Sequence, residues 1–235
     1  MPARVFRGRA GTIDADREVS ERLLDVAAAG DPAIRVWMPH RQVAFGRRDA
    51  CLEGYGRAQD VARERGFPPV ERSVGGRAVA YDGATTLAFA RAEPVADFRR
   101  GTDERYERLT SDVEFALEDL GVALERGEPA DSFCPGTHSL QAGGVAAGKL
   151  VGIAQRVRSD AAVASGILIV DDRELVDVLE AVYDALAVPF DPDSVGSVAA
   201  AGGPSDADRV REALEDALVG GRQRVAERVA VDDRS

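Results

Sequence analysis

The chain has 235 residues, enough to bury a full core, and carries 41 acidic against 30 basic side chains for a formal charge of −11. That acidity excludes nucleic-acid binding through the sequence-independent phosphate term, and no apolar run approaches the roughly 20 residues of a membrane span. The start, MPARVFRGRAG, lacks the apolar centre of a signal peptide, so the expectation is a cytoplasmic protein with no nucleic-acid or membrane partner. Acid excess with scarce lysine further suggests a high-salt, halophilic cytoplasm, an idea that a stability curve flat or falling with KCl would count against.

In chain order, Val19, Leu23 and Ala27 fall on one face of a helix from Asp14 to Ala29, ended by Gly30-Asp31-Pro32. IRVWM (34 to 38) and QVAFG (42 to 46) read as strands of a hairpin with His40 solvated at its tip. A helix over Arg57 to Arg65 buries Val61 and stops at Gly66 before Pro68-Pro69. VERSVGGRAVAYDGATTLAFA (70 to 90) then alternates strand and turn. Gly75-Gly76 within it is either a plain hairpin turn or a cradle of free amides for an anion, which Arg72 and Arg77 would favour. Leu109, Val113, Leu117 and Leu120 mark a helix from Asp103 to Leu120, capped by Gly121. VALER (122 to 126), KLVGIAQRV and AVASGILIV are strand-like, and Leu175 to Leu186 is helical. Phe190 to Gly203 reads as loop, and a last helix starts at Ser205 with Asp208 as its capping-box partner. Past Arg222 the chain is a short helix or frayed. The sum is a mixed α+β fold, one domain over 1–235, with 204–235 as a C-terminal helical tail.

The chemistry concentrates between Ser132 and Arg158. Lys149 is the sole lysine, because every other cation is arginine, and lysine alone of the two handles protons at neutral pH. Cys134 sits before Pro135-Gly136 at a sharp turn. It is either a buried apolar cysteine or a reachable thiol, whose pKa of about 8.5 a neighbouring ammonium would lower. In the second case Lys149 serves as base and as hydrogen-bond donor to an acyl oxygen. His138 follows by four residues, but Pro-Gly breaks any helix that would stack it on the thiol. Cys51 reads as a half-buried apolar residue, Asp82 and Asp131 as turn formers. No zinc spacing is present.

ERSVGGRAVAYD (71 to 82), SFCPGTHSL (132 to 140), GKLVGIAQR (148 to 156) and DPDSVGSV (191 to 198) together resemble the biotin/lipoate protein ligase and octanoyltransferase superfamily over nearly the whole chain. The cysteine-dependent octanoyl and lipoyl transferases are the most similar branch. The resemblance implies a mainly antiparallel sheet with packed helices, and transfer of an octanoyl or lipoyl group through a Cys134 thioester to a lysine of a lipoyl-domain protein. Oxoacid dehydrogenase E2 and glycine-cleavage H protein would be partners. It further implies that Lys149 binds the acyl carbonyl and that Arg72, Gly75, Gly76 and Arg77 form the turn over the acyl end. Gly148, Gly152 and Gln155 would shape the facing strand, and Val79, Val151 and Ile153 would line the chain's path. Transfer needs no cofactor. The alternatives are an ATP- and Mg-dependent lipoate-protein ligase, and a non-catalytic lipoate binder. Val74, Arg77, Tyr81 and Ser165 depart from the ligase pattern, while Arg77 fits the transferase sequence GGRAV.

Overall fold

The computed structural model describes residues 2–72, 75–144, 148–172 and 174–230. Its frame is an eight-stranded sheet built from β1 (Ala3–Arg7), β2 (Ala33–Trp37), β6 (Thr86–Pro94), β7 (Leu124–Arg126), β8 (Ser139–Ala142), β9 (Lys149–Val157), β10 (Ala161–Ile169) and β11 (Arg224–Arg228). The order across it is β11-β1-β2-β6-β10-β9-β8-β7, with β1 parallel to both its neighbours and the other pairs antiparallel. A second sheet, β4-β3-β5, joins β3 (Gln42–Phe45) to β4 (Pro69–Glu71) in parallel and to β5 (Val79–Tyr81) in antiparallel. The expected mixed, mainly antiparallel α+β architecture is therefore present.

Each helix has a local reason to start and a face to bury. In α1 (Ile13–Ala28) the Thr12 hydroxyl accepts from the Ala15 amide, and Leu23, Leu24 and Ala27 are fully buried. α4 (Thr102–Asp119) buries Leu109, Val113 and Leu117 and gives way to Gly121 at φ +84°. α6 (Ala207–Val219) packs on α4 and buries Val210, Leu214 and Leu218. Together α4 and α6 seal one face of the large sheet over Ile34, Phe89, Val151 and Leu168. On the opposite face, α1 covers the end near β1, and the small sheet covers the rest with α3 (Tyr55–Glu64) and α5 (Leu175–Leu186). The short α2 (Arg47–Ala50) links β3 to α3.

Several expectations are corrected. The stretches 34–38 and 42–46 form no hairpin: β2 pairs with β1 and β6 in the large sheet, while β3 lies in the small one. His40 is half-buried, with Nε2 2.8 Å from the Ala10 carbonyl, rather than solvated. Gly75-Gly76 does not close a hairpin either, since β4 and β5 flank β3 on opposite sides. Asp206, not Ser205, caps α6, accepting from the Asp208 and Arg209 amides. The helical tail over 204–235 ends at Val219, and the charged segment past Arg222 is β11, whose arginines and Glu227 suit an exposed edge strand. The position of Val74 lies outside the described residues. None of the described helices is long and apolar enough to cross a membrane.

Candidate active site

A cavity of about 460 Å³ opens between the two sheets. Its floor is a row of register partners across five strands, Trp37, Ala88, Ile167, Gly152 and Ser139, with Ala154 and Ser165 in the next row. Register partners share a face, so the small side chains at Ala88, Gly152, Ala154 and Ser165 leave an apolar trough where larger ones would fill the space. Val79 and Tyr81 of β5 form the opposite wall, and Arg72, Gly75, Gly76 and Cys134 stand at the polar end. Tyr106 and His138 stack there with centroids 3.7 Å apart and planes 8° from parallel. His138 is thus occupied by an aromatic partner rather than by the thiol.

Cys134 is held in a left-handed conformation at φ +42°, uncommon for a residue with a side chain. Its amide donates to the Tyr183 hydroxyl at 2.6 Å, which in turn donates to the Ala78 carbonyl at 3.0 Å. Burial pushes the Tyr183 hydroxyl pKa well up, keeping it a donor. On the other side the Cys134 carbonyl accepts from Lys149 Nζ at 2.9 Å. The backbone is pinned from both directions, and the half-buried side chain lines the cavity.

Lys149 reaches this position through a β-bulge. In a regular strand Lys149, Val151 and Ile153 would point the same way. Leu140 pairs with Val151 but Gln141 with Lys149, which leaves Leu150 as an extra residue. Leu150 and Val151 both enter the core under α4, and Lys149 turns to the cavity side, its Cε 3.4 Å from where a Cβ on Gly152 would sit. The side chain is 1 % exposed. Its three protons go to Glu128 Oε2 at 2.7 Å, the Phe133 carbonyl at 3.0 Å and the Cys134 carbonyl at 2.9 Å.

The cation that reaches the sulfur is instead Arg72, whose Nη2 lies 3.7 Å from Cys134 Sγ and also donates to the Arg77 carbonyl. Burial acts to lower the Arg72 pKa, but the interactions with Cys134 and Tyr81 outweigh it and hold the guanidinium above its ordinary value. Burial likewise raises the Tyr81 hydroxyl, against the pull of Arg72. Gly76, at φ +93°, is where the loop passes the thiol: a Cβ there would sit 3.0 Å from Sγ.

Of the residues singled out in the sequence, Cys134, Lys149, Arg72, Gly75, Gly76, Val79, Gly152, Ile153 and Gln155 line this one cavity. Three others lie elsewhere. Arg77 turns away to the fully buried Asp49 carboxylate at 3.5 Å, which needs a counter-charge. Gly148 is a backbone crossing: a Cβ on it would come within 2.6 Å of the Gly196 amide nitrogen, and the DPDSVGSV segment owes its glycine to this contact. Val151 faces the core under α4 with its register partners Leu140 and Leu168. Sequence reasoning missed Glu128, Tyr183, Trp37 and Tyr106. Glu128 stood six residues before the cysteine without a motif to mark it, and Tyr183 looked like one more residue of an amphipathic helix. Among the described residues no three His, Cys, Asp or Glu side chains group as metal ligands.

The chain is similar to several known proteins. The octanoyl-GcvH:protein N-octanoyltransferase of Kyrpidia tusciae is 39% identical over 120 residues, 51% of this chain and 41% of that protein. The enzyme of that name from Exiguobacterium sibiricum is 34% identical over 149 residues, 62% of this chain and 52% of that protein. The chain spans about half the length of these curated relatives. Among solved structures, a lipoate-protein ligase A bound with ATP superposes with a TM-score of 0.76 at 20% identity, covering 98% of this chain and 90% of that one. A T. acidophilum protein with bound lipoic acid gives 0.73 at 19%, with coverage of 98% and 90%. These two likenesses establish the fold, and a family model of the lipoyl protein ligase A/B catalytic domain matches residues 16–219. The chain belongs to the lipoyl protein ligase A/B catalytic domain family.

Proposed function

We propose that this protein is an acyltransferase that moves an octanoyl or lipoyl group, by way of a thioester on Cys134, to a lysine of a lipoyl-domain protein. The observation that carries the reading is a cysteine in a strained, pinned turn at the polar end of an apolar trough, with a guanidinium 3.7 Å from its sulfur. The trough's volume lies within the usual small-molecule range. Burying the seven carbons beyond an octanoyl carbonyl would contribute roughly 6 kcal/mol at about 0.8 kcal/mol per carbon.

In the first half-reaction the sulfur attacks the donor's acyl carbon, an S–C bond forms, and the donor's C–N or C–S bond breaks. The thiol proton leaves with the departing amine or thiol. In the second, the neutral amine of the acceptor lysine attacks the thioester, the amide forms, and the thiol is restored with the proton the amine gives up. Arg72 would favour negative charge on sulfur in both, and Lys149 would donate to the acyl oxygen as charge develops, by exchanging one of its two carbonyl partners for it. The names of the relatives, which specify GcvH as donor and a protein as acceptor, support H protein as the donor partner of this chain and a second protein as its acceptor.

Intact mass after incubation with an octanoylated donor tests this reading. A stable adduct mapping to Cys134, lost in Cys134→Ala, is expected. Full turnover by Cys134→Ala would exclude the thioester route. AMP release with ATP and Mg, and no adduct, would point to the ligase alternative.

A further inference from the structure

Glu128 belongs to none of the stretches that carry the family resemblance, yet it is the most connected carboxylate near the thiol. Gly127, at φ +126°, turns the chain after β7 and is anchored by its amide to the Ser139 carbonyl at 2.9 Å. That turn directs the Glu128 side chain under the cysteine loop. There Oε1 accepts from the Gly136 amide at 2.9 Å, and Oε2 accepts from the Ser139 hydroxyl at 2.9 Å and Lys149 Nζ at 2.7 Å. One carboxylate therefore ties two points of the loop that follows Cys134 to the sole lysine. Its side chain is 19 % exposed, against 1 % for Lys149.

Two physical consequences follow. A buried ammonium without a counter-charge is costly, and Glu128 supplies that charge at contact distance. The same carboxylate also offsets, at the sulfur, the field of an ammonium hydrogen-bonded to the Cys134 carbonyl. Resting on the transferase reading for its catalytic meaning, we propose that Glu128 is a positioning residue: it holds the Lys149 ammonium aimed beneath the Cys134 loop, and by offsetting its field it sets the reactivity of the thiol. Lys149 then works as a hydrogen-bond donor rather than as the acceptor of the thiol proton.

The test compares the full chain with Glu128→Gln and Glu128→Ala by two readouts. The first is the rate of Cys134 alkylation by iodoacetamide against pH, with peptide mapping to separate it from the exposed Cys51. Both variants remove the negative charge while the Phe133 and Cys134 carbonyls keep the ammonium in place, so the pH of half-maximal alkylation should fall by about half a unit to one unit, the partial exposure of Glu128 limiting the shift. The second readout is octanoyl transfer, where kcat should drop about tenfold or more while the donor KM stays within about threefold. A purely structural brace would be largely rescued by glutamine, which keeps the shape and one acceptor. An alkylation profile in Glu128→Gln that overlays the wild type, or transfer at the wild-type rate, overturns the inference. If the wild type forms no thioester at all, the transferase reading fails, while the alkylation profiles still decide what Glu128 does to the thiol.

Discussion

Adding one methyl group at Gly76 probes the thiol more sharply than removing the thiol does. At φ +93° an alanine pays the left-handed penalty of roughly 1–2 kcal/mol. Its Cβ would also sit 3.0 Å from Cys134 Sγ and 3.4 Å from Arg72 Nη2, so one of the two must retreat by a few tenths of an ångström. The contact between them is already 3.7 Å, and a further retreat dissolves it. Hydrogen bonds to charged groups are worth about 1.5–3 kcal/mol, which corresponds to roughly a 10- to 150-fold loss in the rate of Cys134 acylation. The strain alone lowers Tm by about 2–8 °C at this chain length. The matched control is Gly75→Ala, where no described atom lies within 4 Å of the added carbon and φ lies outside the left-handed region. The assay is the time course of the octanoyl adduct by intact mass, beside a thermal melt. A Gly76→Ala protein that acylates at the wild-type rate refutes the assignment of Arg72 and the loop to the chemistry.

Ala88→Leu adds three carbons to the trough floor and should displace about three methylenes of the acyl chain, raising KM for an octanoyl donor roughly 50-fold while sparing a butyryl donor. Equal effects on both chain lengths would place the acyl group elsewhere. Asp16→Ala strips the counter-ion from Arg35, a fully buried guanidinium whose pKa burial already pulls down, and releases the Trp37 indole at the cavity wall. The expected cost is about 3–5 kcal/mol, seen as a Tm loss of roughly 6–20 °C, and a melt unchanged within error would contradict it. Burial pushes the Asp82 carboxyl up, but bonds from the Thr85 hydroxyl and the amides of Ala84, Thr85 and Thr86 outweigh it and hold the pKa below the ordinary value. A depressed folded pKa contributes stability that is complete above the unfolded value of about 3.9 and lost as pH falls through the folded one. Asp82→Asn should therefore cost stability near neutrality and flatten the acid limb of a Tm against pH curve; an unchanged acid limb would remove Asp82 as its source.

The helices were legible because their apolar spacing is local: Leu109, Val113 and Leu117 in α4 need no knowledge of the partner surface. Pairings were not. Nothing in QVAFG says that β3 leaves its neighbour β2 for another sheet, because both strands are apolar on the side they bury. β11 was missed for the opposite reason, since an edge strand rich in arginine carries no hydrophobic signal. In the site, the glycine, cysteine and lysine stretches were readable from residue chemistry and family resemblance. Arg77, Gly148 and Val151 went astray because their roles depend on Asp49, Gly196 and the pairing of Val151 with Leu140 and Leu168, all set by tertiary contacts. Glu128 and Tyr183 act only through the cysteine's backbone, and backbone anchoring leaves no trace in residue type.

The extra residue in β9 makes two destinies of one strand separable by a single codon. Inserting one residue between Leu140 and Gln141 of β8 would give Leu150 a partner, let the ladder close without interruption, and swing the ammonium onto the side packed under α4. Such a protein would meet a buried charge where it expects a leucine, and the trough would lose its only lysine. Insertions and deletions here are therefore subject to a stricter rule than substitutions, because the sheet itself counts in steps of two.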